Sequence, residues 1–261
     1  MASERIIVIT GASTGIGKAA AAAFSRCNDR VFNLSRRDPV DPNATHVPCD
    51  VTDERQCIAA IDAVLQQAKR IDVLILNAGF GISGPVETTG IAAAQKQFDV
   101  CLFGAIRVLK AALPALRESR GTVLFTSSVA AVTPIPYQAF YSAAKAAINS
   151  VVMALRNELS GTGIRVAAVL PGDVKTDFTA MREKNAASAL YPNEARAVGR
   201  MEHDEQHGMS PDRIANRFVK LSRQRSPKPF CSVGFAYSAV CVLIKLLPAR
   251  FANWVLGKLY G

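Results

Sequence analysis

No acidic residue follows Asp212 in this 261-residue chain, although nine basic ones do. Residues 1–212 carry 22 basic and 21 acidic side chains, so nearly all of the net charge of +10 belongs to the C-terminal part. Such an imbalance fits an anionic partner, nucleic acid or lipid. Long apolar runs are also missing. The apolar run from Val233 to Ile244 has 12 residues before Lys245, well short of the ~20 needed to cross a bilayer. The six cysteines contain no CxxC pair and no zinc spacing. Reduced, buried thiols of a cytoplasmic protein are therefore expected. The opening MASERIIVIT has no apolar stretch of roughly 7–15 residues behind a basic start, which argues against a secretory signal. No fixed-period repeat and no low-complexity segment interrupts the chain.

What is present is globular: 49% hydrophobic, 20% charged, with 17 Gly and 13 Pro. RIIVIT (5–10) is short, apolar and rich in β-branched residues, as suits a strand buried on both faces. GASTGIG and a strong helix former, KAAAAAF, follow it. The alternation recurs, with strands predicted at 31–35, 71–77, 122–128 and 163–172. Helices are predicted at 54–69, from about Ile91 to Glu118, and at 139–160. This is the pattern of βαβ units around a parallel sheet. It predicts one α/β doubly wound Rossmann domain over residues 1–235, with an irregular insertion at 173–212 and a helical extension at 236–261.

Gly11, Gly15 and Gly17 stand between the first strand and the first helix. Glycines there let backbone N–H groups approach a pyrophosphate that the helix N-terminus attracts. The second strand ends in LSRRD, with Ser35 where an acid would take the ribose hydroxyls of NAD. Arg36 and Arg37 follow, and arginine suits a 2′-phosphate. NADP(H) is therefore expected over NAD(H). CDV (49–51) and NAG (77–79) fall at the carboxyl ends of later strands, where open sheets bind ligands.

AFYSAAKAAINS (139–150) places Tyr141 and Lys145 four apart on one helix face. An unperturbed phenol titrates near ~10. A neighbouring ammonium lowers that value toward neutrality and makes a proton donor of it. Ser128, 13 residues earlier at the end of a strand, can hold the oxygen that receives the proton.

TGASTGIG (10–17), CDV (49–51), LNAG (76–79), SSVA (127–130), YSAAK (141–145) and PGDVKT (171–176) together resemble the short-chain dehydrogenase/reductase family. NAGFGISGPVE and FDVCLFGAIRVLKAALP are similar to its steroid and retinol dehydrogenase branch. The resemblance implies a seven-stranded parallel sheet ending near residues 230–233, and hydride transfer between NAD(P)H and a carbonyl or alcohol. It implies that Thr10, Gly11, Ser13, Gly15, Ile16 and Gly17 line the cofactor phosphates and that Arg36 meets the 2′-phosphate. Asp50 and Val51 would meet the adenine, and Asn77, Ala78 and Gly79 the ribose side. Pro171, Gly172 and Thr176 would border the nicotinamide. Ser128 would orient the carbonyl, Tyr141 exchange its proton, and Lys145 bind the ribose. One position departs from the family: Cys101 stands where Asn is usual, so the chain is either an enzyme with a repacked helix or a weakly active cofactor sensor. A lipophilic carbonyl or alcohol substrate and a homodimer or homotetramer are implied.

Phe251, Trp254, Val255 and Leu259 fall at helical spacing in the basic tail. Two readings stay open for it: a cap over the cleft or dimer contact, or a peripheral helix on anionic lipid. No nucleic-acid motif is present. His203 and His207 have i, i+4 spacing but lack a third ligand, so they predict a solvated helix face and no metal.

Overall fold

The computed structural model describes residues 4–184 and 189–260; the side chains of Lys245, Leu259 and Tyr260 lie outside that description, as does the insertion at 185–188. Strands β1 (Ile6–Thr10), β2 (Arg30–Ser35), β3 (Thr45–Pro48) and β4 (Val73–Leu76) alternate with helices α1 (Gly15–Ser25) and α2 (Glu54–Ala68). A short β5 (Ile82–Ser83) precedes α3 (Ile91–Phe98) and α4 (Gly104–Ser119). Then come β6 (Thr122–Thr126), α5 (Ala139–Glu158), β7 (Arg165–Leu170) and β8 (Glu183–Lys184). The chain finishes with α6 (Glu194–Gln206), α7 (Pro211–Ser222), β9 (Phe230–Ser232), α8 (Phe235–Leu246) and α9 (Ala249–Tyr260).

Seven strands form one parallel sheet in the order β3-β2-β1-β4-β6-β7-β9. Both of its faces are covered, and the period-2 alternation of a strand explains how β1 serves both cores. Ile6 and Val8 pack with Ile61, Val108 and Ile148 from α2, α4 and α5. Ile7 and Ile9 pack with Phe24, Ile214 and Phe218 from α1 and α7. β1 and β4 are neighbours, yet the chain leaves β1 in one direction and returns to β4 for the other half of the sheet. The crevice beyond their carboxyl ends is where such a sheet takes ligands.

Two features differ from the sequence reading. The helix expected from Ile91 to Glu118 is divided by one π-helical turn, Asp99–Phe103, which contains Cys101. A π turn inserts a residue and shifts the helical register, a change that residue periodicity cannot signal. The insertion expected to be irregular holds α6, and β8 pairs with β5 in a second, two-stranded sheet. Ser210 caps α7, its hydroxyl accepting from the Asp212 N–H at 3.2 Å, with Pro211 in the first turn.

Candidate active site

A cleft of about 1480 Å³ opens at this switch point. At one end, β1 turns into α1 through Gly11 (φ +68°) and Gly15 (φ +55°), conformations open to glycine at little steric cost. Thr14 begins α1 without a side-chain cap. Ser13, Thr14, Gly15 and Ile16 line the cleft, so the helix N-terminus presents its backbone donors there. A pyrophosphate fits this turn because side chains are excluded from it. A Cβ on Gly17 would lie 2.3 Å from the Gly11 carbonyl oxygen, and one on Gly15 would lie 3.3 Å from Thr176 Cβ.

Thr10 and Gly17, expected to line the phosphates, do not face the cleft. Thr10 is buried in the sheet, and its hydroxyl accepts from the backbone N–H groups of Asn77 (2.9 Å) and Ala78 (3.0 Å). Asn77 Nδ2 donates to the carbonyls of Thr10 (3.2 Å) and Gly11 (3.1 Å), and Asn77 Oδ1 accepts from Thr126 Oγ1 at 3.1 Å. The two positions therefore brace the turn from behind. Gly11, Ser13, Gly15, Ile16, Asn77, Ala78 and Gly79 do border the cleft.

Arg36 and Arg37 border it beyond Ser13. Ser35 points inward, donating to the Arg37 carbonyl at 2.9 Å, and Ser13 donates to the same carbonyl at 3.2 Å. Asp50 and Val51 flank the same end. The Asp50 carboxylate is held locally by the Thr52 N–H (3.0 Å) and hydroxyl (2.8 Å). Val51 packs so tightly on α4 that a Cβ on Gly104 would come within 2.7 Å of its Cγ2.

At the other end, Ser128, Tyr141 and Lys145 converge with Pro171, Gly172 and Thr176. Lys145 is 4% exposed; its Nζ donates to the Thr126 carbonyl at 2.8 Å and lies 5.7 Å from the Tyr141 ring centroid. Burial lowers its pKa, opposed by nearby Cys101. The spacing alone predicts a lowered phenol for Tyr141, but the structure reverses the sign. Burial dominates and pushes the phenol up, while hydrogen bonding with Ser128 draws it down; Cys101 and Glu205 add to the rise, and Arg182 opposes it. The phenol therefore carries its proton throughout the neutral range.

Cys101 stands out in the sequence, whereas the residues around it at this end carry no motif and were not found from sequence. Cys101 is 1% exposed and lies beside Gly79. Buried Gln97 grips it: Nε2 donates to Cys101 Sγ at 2.9 Å and to the Phe80 carbonyl at 2.8 Å, while Oε1 accepts from the Ile82 N–H at 3.0 Å. Ser127 donates to Asn149 Oδ1 at 2.8 Å, tying β6 to α5 beside Lys145. Phe178 lies between Tyr141, 5.8 Å away with its ring tilted by 59°, and the buried guanidinium of Arg182, which pairs with Glu205. From the tail, Tyr237 lies on Gly172, where a Cβ would meet its ring at 2.2 Å. Its hydroxyl donates to Asp173 Oδ2 at 2.7 Å. α8 and α9 thus close one side of the cleft, with Val240 and Leu256 in its wall. His203 and His207 stack on the exposed side of α6, their ring centroids 4.2 Å apart. Among the described residues no group of three or more potential ligands that could hold a metal occurs.

A doubly wound sheet, a glycine turn at its switch point and a Ser–Tyr–Lys group across the cleft define a dinucleotide-binding oxidoreductase fold. Residues 5–187 match the short chain dehydrogenase family, and the chain belongs to it. It is 32% identical over 257 residues to 3-ketodihydrosphingosine reductase of Bacteroides thetaiotaomicron, spanning 96% of this chain and 93% of that one. A short-chain dehydrogenase from Streptomyces avermitilis superimposes with a TM-score of 0.88 at 24% identity, covering 99% and 98% of the two chains. One from Burkholderia cenocepacia in complex with NADP does so with a TM-score of 0.78 at 22% identity, covering 97% and 98%. The protein is an oxidoreductase of the short-chain type, acting between CH–OH and C=O groups.

Proposed function

We propose that this protein is an NADP(H)-dependent carbonyl reductase or alcohol dehydrogenase for a lipophilic substrate, with Tyr141 as the acid and base. The observation that carries the reading is the convergence of Tyr141, Ser128 and Lys145 at one end of a cleft whose other end is the glycine turn. Bound NADPH supplies the hydride. Ser128 holds the substrate oxygen, and Tyr141, protonated by its burial, gives that oxygen a proton. Lys145 is fixed beside the phenol by its bond to the Thr126 carbonyl and reaches the cleft wall where the ribose would lie. The apolar character of the substrate rests on Ile135, Phe140, Phe178, Met181, Val240 and Leu256, which line this end. A long-chain or steroid-like ketone fits such walls. The similarity to a sphingoid-base ketone reductase is in keeping with the long-chain form. Exposed Phe103 and Met153, at the end of the π turn and on α5, are suited to a homodimer or homotetramer. NADPH oxidation over a panel of long-chain ketones, steroids and short polar carbonyls tests the reading; turnover confined to the short polar ones would overturn it.

Cofactor choice rests on Arg36 and on Ser35 in place of an acid. In Arg36→Ala, the KM for NADPH is expected to rise roughly 10–100-fold, the worth of a hydrogen bond to a charged group, with little change for NADH. Equal losses with both cofactors would remove the 2′-phosphate role.

The second reading, a cofactor sensor with little turnover, has one observation behind it: Cys101 at the π turn in place of an amide side chain. The buried amide of Gln97 already braces this turn against the 80–82 loop, which favours the enzyme. Cys101→Asn is therefore expected to change kcat less than about threefold. A tenfold or greater gain would show that the thiol cripples the site.

A further inference from the structure

The outer surface of the tail has no role in the cleft. α8 is apolar on two opposite sides. Tyr237 and Val240 line the cleft, while Phe235, Val242 and Leu246, at i, i+7 and i+11, form one outward stripe. Phe235 is 91% exposed and Leu246 76% exposed. α9 continues the outer surface. Trp254 is 58% exposed and stacks on exposed Phe251, with ring centroids 5.8 Å apart and planes 23° apart. Exposed Arg250 and Lys258 are placed one turn before and one turn after Trp254. Exposed apolar side chains on two successive helices whose own charged residues are all basic mark an interaction site.

We propose that the outer face of α8 and α9 docks on an anionic lipid bilayer. Charge decides among the occupants. An isologous contact between two copies would set α8 and α9 against themselves, bringing Arg250 and Lys258 toward the same pair with no acidic residue on either helix in either copy. An anionic membrane offers both halves of the match: acyl chains for Phe235, Leu246, Phe251 and Trp254, and headgroups for Arg250 and Lys258. Among the described residues no helix is long and apolar enough to cross a membrane, so the contact lies in the interface. The same two helices place Val240 and Leu256 in the cleft wall. Docking therefore brings the cleft beside the bilayer, where an apolar ketone partitions; this last step rests on the substrate reading above, and the docking does not.

Trp254 is the single tryptophan of the chain, so its fluorescence reports the tail alone. The full-length protein is titrated with phosphatidylcholine vesicles, with and without phosphatidylserine, in the absence of substrate. The expected result is a blue shift with the phosphatidylserine vesicles that weakens as salt rises. In an Arg250→Glu, Lys258→Glu variant, the vesicle affinity is expected to fall about 25-fold or more, about fivefold for each basic residue lost. Unchanged emission with anionic vesicles at low salt overturns the proposal. So does an equal shift with both vesicle types, or a blue shift that follows protein concentration without vesicles, which would assign the face to a second copy. Turnover is measured separately on detergent-dispersed ketone, so a failed substrate reading and a failed docking give different results.

Discussion

Replacing Tyr141 with Phe is expected to lower kcat by about 10²–10⁴-fold, the usual contribution of a positioned proton donor, while NADPH affinity stays within about twofold. The change removes one oxygen and leaves the ring against Phe178, so packing is retained. It interrupts the step in which the phenol protonates the substrate oxygen under the hold of Ser128. The pH profile follows from the direction of the shift. Burial raises the phenol, so its protonated form is present through neutral pH and is lost only in alkaline solution. The reductive rate should hold across neutrality and fall at high pH, whereas the oxidative rate, which needs the phenolate, should rise with pH. Steady-state kinetics in both directions, with fluorescence titration of NADPH, checks this. Wild-type turnover in Tyr141→Phe would remove Tyr141 from the chemistry.

Gly17→Ala is expected to be the most damaging single-methyl change in the glycine turn. The added carbon would lie 2.3 Å from the Gly11 carbonyl oxygen, 2.6 Å from Asn77 Nδ2 and 2.8 Å from Ala12 Cα. Two of those neighbours are backbone and cannot swing away. Overpacking of this kind costs roughly 1–3 kcal/mol or more. For a chain of this size that corresponds to a Tm lower by about 2–12 °C. Because Asn77 and Gly11 shape the phosphate turn, NADPH affinity should fall as well. Gly199→Ala, in the middle of α6 with nothing within 4 Å of its Cβ, is the contrasting case. Removing glycine from a helix should raise stability by roughly 0.5–1 kcal/mol. Thermal unfolding of both variants separates a steric clash from a general intolerance of change. An unaltered Tm and NADPH affinity in Gly17→Ala would contradict the close packing.

The main strands were legible because a strand buried on both faces leaves a continuous apolar run. Ile6–Thr10 is such a run, with neighbours on both sides. The glycine turn was legible because positive φ at Gly11 and Gly15 restricts residue type locally. The function of Thr10 and Gly17 was not. Both sit inside a recognisable motif, but whether a residue faces a ligand or supports the backbone behind it depends on β4, some 67 residues away in the chain. The direction of the Tyr141 shift was misjudged for a similar reason. Four-residue spacing puts Lys145 near the ring, but the covering of the ring involves Phe178, 37 residues further along the chain. Cys101 was visible as an odd residue, but its π turn and its clasp by Gln97 were not.

The sequence by itself determined the order of strands and helices, the glycine turn and the Tyr–Lys pair on one helix face. Each of these follows from local periodicity or from the allowed conformations of a few adjacent residues. The tertiary structure decided which way the tail faces. Its basic, apolar composition left a cleft cap and a lipid-facing helix as alternatives, whereas the fold turns one side of α8 to the cleft and the other to solvent. That outcome depends on Tyr237 reaching Gly172 and Asp173, 64 residues earlier than itself in the case of Asp173. Such a contact is set by the position of β9 at the edge of the sheet beside β7, and no pattern within the tail encodes it.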